Sequence, residues 1–280
     1  MQKHFQLRWL LNLGLLLAVI ILALLALPGK QQNLTEQLAV GNFIPANVDH
    51  IRLSRTGKKE LSFQKVGSEW HMQQPYETRA DDNVVQQLLN IRELAIQSII
   101  DNPDLDLKEF GLSEPEVSVF FNEIEMKFGD IQPVGKQRYA QLNNQVVLIE
   151  DKHAAQLRAS SISYIDRQLI PLGSNITRLV IDNRPVDLAT NQELVSQWQE
   201  TKAGWLSHAS NAPATGIAVQ ITLNNNATLH YLADKRDNDV VLVNPDNALE
   251  YHLTFTALDT LGINTTIVED AASNSDQQSQ

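Results

Sequence analysis

The chain has 280 residues, 22 Lys+Arg against 33 Asp+Glu, and a formal net charge of −11, a balance opposite to the basic face that phosphate-backbone binding needs. Nucleic acid is therefore not an expected partner. With 43% hydrophobic residues the chain can build a real core, and with no cysteine it can hold no disulfide, thiol nucleophile or Cys-based metal site.

Residues 1–8 carry Lys3 and Arg8 ahead of the uncharged run Trp9 to Leu27, WLLNLGLLLAVIILALLAL. About 19 residues at 1.5 Å each nearly match a hydrocarbon core of about 30 Å, so 9–27 is expected to be a transmembrane helix. The basic flank favours a cytoplasmic N-terminus and an outward-facing body. The rival is a cleaved signal peptide, whose apolar region is about 7–15 residues and ends at a small-x-small site. This run is longer and ends Ala26-Leu27-Pro28, so an uncleaved anchor is expected. Residues 28–47, with Pro28, Gly29, Gly41 and Pro45 among polar residues, read as a linker, and 267–280 as a disordered acidic tail.

Between these ends the pattern is α+β, in two repeated hairpin–helix–antiparallel meander units, 48–170 and 171–266. In the first, Ile51–Ser54 and Leu61–Gln64 alternate around Thr56-Gly57-Lys58-Lys59 as a hairpin, and Trp70 begins a short stretch ended by Pro75. Asp81 or Asp82 caps a helix in which Val84, Val85, Leu88, Ile91 and Leu94/Ala95 recur at helical spacing. Leu107–Leu112 is expected to be one helical turn closed by a left-handed Gly111. Strands follow at 117–121, 125–128, 138–142 and 146–150, with Asn143-Asn144 as a turn.

The second unit has a hairpin over 178–181 and 184–188, then Thr190-Asn191-Gln192-Glu193 as a capping box for a helix carrying Leu194, Val195, Trp198 and Trp205. Trp198 and Trp205, seven apart, fall on one helical face and are read as core. Strands recur at 217–223, 228–233, 240–243 and 251–255. The clearest echo between units sets Asn144–Ile149 against Asn238–Val243.

No G-x-S-x-G, H-E-x-x-H or strand-borne G-x-G-x-x-G occurs. Gly129–Gln137 resembles a phosphate loop but has one residue too many between its glycines and Gln137 where a hydroxyl is needed, so it is read as a turn. The histidines sit singly, without an i, i+4 pair, and no metal or cofactor is expected. The cluster Asp101–Asp106 lacks the EF-hand glycine and glutamate, and Asp234, Asp237 and Asp239 read as a hairpin tip. Aromatic rings offer large contact surfaces, so Trp70, Tyr76 and Tyr139, beside sheet edges, are the candidate ligand-contact residues for a glycan or peptide. No catalytic residue is nominated.

The segment Trp70–Pro75, Ala80-Asp81-Asp82, Leu88-Leu89, Phe110-Gly111-Leu112-Ser113-Glu114-Pro115, Phe128-Gly129, Tyr139 and Asp166-Arg167-Gln168-Leu169-Ile170 resembles the bacterial domain of unknown function 4340. The likeness is good over roughly 50–170 and looser beyond, where no second Gly-Leu-x-x-Pro turn occurs. It implies a single-span protein of the bacterial inner membrane with a periplasmic body, in some members an accessory of ABC-type transport systems of the gliding-motility kind, and it supplies no catalytic residues. Three functions follow as expectations: a non-enzymatic accessory or scaffold beside ABC transporter subunits, a glycan- or peptide-binding module, or an enzyme with an unrecognised carboxylate or metal site.

Overall fold

The computed structural model describes residues 38–101, 105–209, 216–236 and 240–263, in which two antiparallel sheets dominate and helices are short. The first sheet contains β1 (His50–Arg55), β2 (Leu61–Val66), β3 (Glu69–Gln74), β4 (Thr78–Arg79), β5 (Ile96–Ile100), β6 (Val117–Phe121), β7 (Ile124–Ile131), β8 (Gln137–Leu142) and β9 (Gln145–Glu150). Their spatial order is β4-β3-β2-β1-β6-β7-β8-β9-β5. The helix α1 (Asp82–Leu89) precedes β5, and α2 (Ala154–Arg158) follows β9. The second sheet contains β10 (Ile176–Ile181), β11 (Arg184–Pro185), β12 (Trp205–His208), β13 (Ile217–Leu223), β14 (Thr228–Lys235), β15 (Val240–Asn244) and β16 (Leu249–Leu253), in the order β11-β10-β13-β14-β15-β16-β12. The helix α3 (Gln192–Glu200) precedes β12, and α4 (Phe255–Thr260) follows β16.

Removing β3 and β4 from the first order leaves the second, strand for strand: β1 matches β10, β2 matches β11, β5 matches β12, and β6–β9 match β13–β16. In each sheet a helix precedes a strand that crosses to the far edge and pairs with the last strand of the meander, β5 on β9 and β12 on β16. The sequence echo of Asn144–Ile149 with Asn238–Val243 aligned β9 with β15. Topology instead sets β15 opposite β8, so that likeness reflects two apolar strands in neighbouring positions.

The alternation places Ile51, Leu53 and Arg55 of β1 inward, and the turns use the residues that tolerate positive φ. Asn143 and Asn144 sit at φ 46° and 67°, and Asp182 and Asn183 at 50° and 60°. Asp81 caps α1, its carboxylate accepting from the Asn83 amide at 3.0 Å. Buried Val85 and Leu88 form the inward face of α1, and Ile91 continues that buried stripe in the turn after it.

Four local expectations are corrected. The α1 helix ends at Leu89 and passes through a 3₁₀ turn, Asn90–Glu93, so Leu94 and Ala95 lead into β5, which periodicity had concealed. Trp205 is not on a helix with Trp198: α3 ends at Glu200, and Thr201 to Gly204 are drawn straight by pairing with Arg167–Leu169, which overrides local helical spacing. Trp198 is fully buried and Trp205 is 54% exposed. The capping box is not formed either, since the Thr190 hydroxyl and the Asn191 amide both donate to the Asp187 carbonyl. Finally, residues 39–47, expected in the linker, are docked on the body. Val40 donates to the Leu94 carbonyl at 2.9 Å, Ala39 bridges Ala95, and Val40 and Ile44 are buried. The expected span 9–27, linker residues 28–37 and the tail 267–280 lie outside the described residues. Among the described residues no helix is long and apolar enough to cross a membrane.

Candidate functional site

The sheets meet along the segment Tyr164–Ile170, which leaves a 3₁₀ turn at Tyr164. On one side Asp81 N donates to Tyr164 O at 2.7 Å, Asp166 N donates to Arg79 O, and Ala80 bridges Ile165. On the other, Leu169 N donates to Thr201 O, Ala203 N donates to Arg167 O, and Gln168 bridges Lys202. The Tyr231 phenol of β14 closes the seam by donating to Leu169 O at 2.8 Å. Arg79 binds the seam electrostatically: its guanidinium is 3.3 Å from Asp166, 3.4 Å from Glu69 and 3.8 Å from Asp82. The Arg79 and Asp166 side chains are only 11% and 12% exposed, so solvent screens the pair poorly.

Two clefts open along this seam. One, of about 370 Å³, is lined by Arg79, Asp166, Tyr231, Asn244, Asp246 and Tyr251 among others. Burial pushes the Tyr231 phenol well above its ordinary value and raises Tyr251, against hydrogen bonds with Asn247 and Thr78 that act in the opposite sense. Both phenols are neutral hydrogen-bond donors at ordinary pH. The second cleft, of about 490 Å³, lies between the β1–β2 turn, Pro75-Tyr76, Ser160-Ser161 and His208 at the end of β12. There Tyr76 Oη hydrogen-bonds the His208 ring, with Nε2 at 3.1 Å, across 132 residues of sequence.

A polar cluster on the second sheet has the ingredients of a nucleophilic site. Ser207 Oγ is 2.8 Å from Glu250 Oε2 and 2.8 Å from His252 Nε2, and the exposed Trp205 ring stacks on His252 at 3.4 Å. Its polarity is the reverse of an activated serine. The single hydroxyl hydrogen goes to Glu250, so the contact with Nε2 is made by the imidazole donating into Oγ. Glu250 also holds Arg236 in two hydrogen bonds of 2.8 and 3.1 Å, which raises the guanidinium above its ordinary value. The cluster is a polar network that joins Ser207 of β12 and Glu250 and His252 of β16 to Arg236, which follows β14. Among the described residues no group of three His, Asp or Glu side chains could hold a metal ion.

The three rings nominated from sequence do not share a groove. Trp70 is 4% exposed, in the core, with its amide donating to Asp82 Oδ1 at 2.9 Å. Tyr139 lies on β8, five positions from β3 in the sheet order, roughly 24 Å at about 4.8 Å per strand, and packs edge-on against Phe110 at 4.8 Å. Tyr76 lines the second cleft, and neither Trp70 nor Tyr139 lines that cleft or the first. Sequence reasoning passed over Arg55 and His208. Arg55 did carry a signal, being in phase with Ile51 and Leu53 on the inward face of an alternating strand.

The residues behind the family resemblance are packing residues. Gly111 closes the Leu107–Phe110 turn at φ 67° as expected, and the turn presses so closely on β7 that a Cβ on Gly129 would lie 2.1 Å from the Phe110 carbonyl oxygen. Arg138, 7% exposed, anchors the same corner through two bonds to Asp151 and one to Gly129 O. Asp82 and Asp166 hold the seam. No curated protein and no solved structure matches the chain. The family described as Domain of unknown function (DUF4340) matches residues 70–276, well over half of the chain and reaching across both sheets rather than the first alone. Its match starts at β3 and takes in the seam, the Gly111 corner and the second meander, and by that extent the chain belongs to the DUF4340 family.

Proposed function

We propose that this protein is a membrane-anchored, non-enzymatic accessory or scaffold of the bacterial inner membrane, with its two-sheet body in the periplasm and an ABC-type envelope transport assembly as its partner. The observation that carries this reading is the uncharged run Trp9–Leu27 behind Lys3 and Arg8, long enough to span a bilayer and with the basic flank that retains an N-terminus in the cytoplasm. The body supports it in a second way. Arg79, Arg138 and Arg236 are held in ion pairs that brace the body, an arrangement suited to a rigid docking body. The partner class comes from the family resemblance.

C-terminal fusions test the orientation: an alkaline phosphatase reporter is expected to be active and a green fluorescent one dark, with the protein retained through an alkaline carbonate wash. A cytosolic reporter or carbonate release overturns the anchor. Affinity capture from gently solubilised membranes is expected to recover an ABC permease or its companion subunit. Repeated recovery of the protein alone overturns the partnership.

A further inference from the structure

The second cleft has a lining opposite in charge to the chain as a whole. In a chain of net charge −11 it is lined by Arg55, Lys58, Lys59 and His208, with Ser160 and Ser161 and no Asp or Glu. Two arginines are equally buried, Arg138 at 7% and Arg55 at 8% exposed. Arg138 is neutralised by Asp151 in a two-pronged pair. Arg55 has no carboxylate within ion-pair distance among the described residues; its Nη1 donates only to the Ala159 carbonyl and its buried Nε has no hydrogen-bond partner there. The nearby Glu116 carboxylate is committed to Arg158 at 3.1 Å. A buried guanidinium without a counter-charge is costly unless an anion completes it, and burial accordingly lowers its affinity for its proton.

The surroundings are donors as well. Lys58 and Lys59 are exposed on the turn after β1, where Gly57 at φ 71° lets the chain reverse. The Ser160 and Ser161 hydroxyls come from the start of the 3₁₀ turn before the seam, and the Tyr76–His208 pair brings the edge of the second sheet to the rim. Guanidinium, two ammonium groups and hydroxyls, with no acceptor carboxylate, match an oxyanion carrying more than one negative charge. At about 490 Å³ the space suits a ligand larger than a bare ion.

We propose that the cleft between the Arg55–Lys59 turn, Ser160-Ser161 and the Tyr76–His208 pair binds a phosphate monoester, with Arg55 as the fixed charge at its floor. The phosphate comes from either a soluble sugar or glycerol phosphate or a lipid headgroup, and the test separates the two.

The full chain in neutral detergent is titrated with inorganic phosphate and with glycerol 3-phosphate, and in parallel is placed in mixed micelles containing phosphatidic acid or phosphatidylcholine. Heat of binding and thermal midpoint are read in each. Saturable binding of glycerol 3-phosphate identifies a soluble ester; stabilisation by phosphatidic acid alone identifies a headgroup. In either case Lys58→Gln/Lys59→Gln, at exposed positions, is expected to weaken binding by at least about tenfold with the fold intact, and Arg55→Gln by more. Lys152→Gln, an exposed lysine paired with Glu150, is expected to bind as the parent does. Should Arg55→Gln fail to fold, the lysine pair decides alone. The proposal is overturned if no phosphate probe binds, or if the lysine pair can be replaced without weakening the binding that is seen.

Discussion

The two sheets share one strand order but are finished differently, and the difference locates what is specific to this protein. The second sheet stops at the hairpin β10–β11, whereas the first extends beyond the equivalent β2 by β3 and β4. Those two added strands and the loop between them carry Trp70, Tyr76 and Arg79, the residues that hold the core, reach His208 and lock Asp166. The extra wing pairs with the linking segment through Arg79 and lines both clefts, while Thr201, Ala203 and Tyr231 hold that segment from the side of the second sheet. The two clefts accordingly lie beside this wing, while the meander interiors are packed mainly with apolar side chains.

Trp198 and Trp205 are equivalent by sequence periodicity and opposite in the fold. Trp198 is completely buried, donates Nε1 to Leu261 O at 3.1 Å and lies 6.4 Å from Tyr231. Trp198→Ala is expected to cost about 3–5 kcal/mol. Trp205 is more than half exposed and contributes mainly its stack on His252, so Trp205→Ala is expected to cost about 0.5–1.5 kcal/mol. Urea unfolding of the two variants side by side checks this, and equal losses would return both residues to one buried face.

Next in size is the seam. Arg79→Ala strands Asp166 and removes the charge shared with Glu69 and Asp82, at an expected cost of about 3 kcal/mol. Replacing both members, Arg79→Met with Asp166→Leu, is expected to recover most of that loss because it leaves no unpaired buried charge. A double-mutant cycle read by chemical denaturation measures the coupling. A cycle that closes additively would mean that the backbone bridges alone carry the seam.

Both meanders were legible in the sequence because short apolar-rich runs are punctuated by asparagine turns: Asn143-Asn144 joins β8 to β9 and Asn226 lies between β13 and β14, and the chain there adopts the positive φ that Asn accepts readily. The strands β5 and β12 were not legible. Each is defined by pairing with a meander strand roughly forty to fifty residues downstream, and IQSII after α1 extends a helical periodicity as easily as it forms an edge. The candidate site was visible only in fragments. Tyr76 stood out as an aromatic ring, but its His208 partner comes from the other sheet, and the absence of a carboxylate beside Arg55 belongs to the assembled neighbourhood rather than to any stretch of chain.

The smallest effect compares the helices that lead into those two edge strands. Asp81 accepts from the Asn83 amide and satisfies one of the free donors at the start of α1, so Asp81→Ala is expected to lower stability by about 1 kcal/mol. Asn191 occupies the corresponding place before α3 but spends its side chain on the Asp187 carbonyl and caps nothing. Asn191→Ala therefore removes only two exposed local hydrogen bonds, to the Asp187 carbonyl and the Thr190 hydroxyl, with an expected loss of a few tenths of a kcal/mol, the scale of an ordinary surface substitution. The two thermal midpoints decide the matter in one experiment. A loss at Asn191 as large as that at Asp81 would show that α3 is capped in solution, and that the two helices begin alike as well as occupying the same place in the strand order.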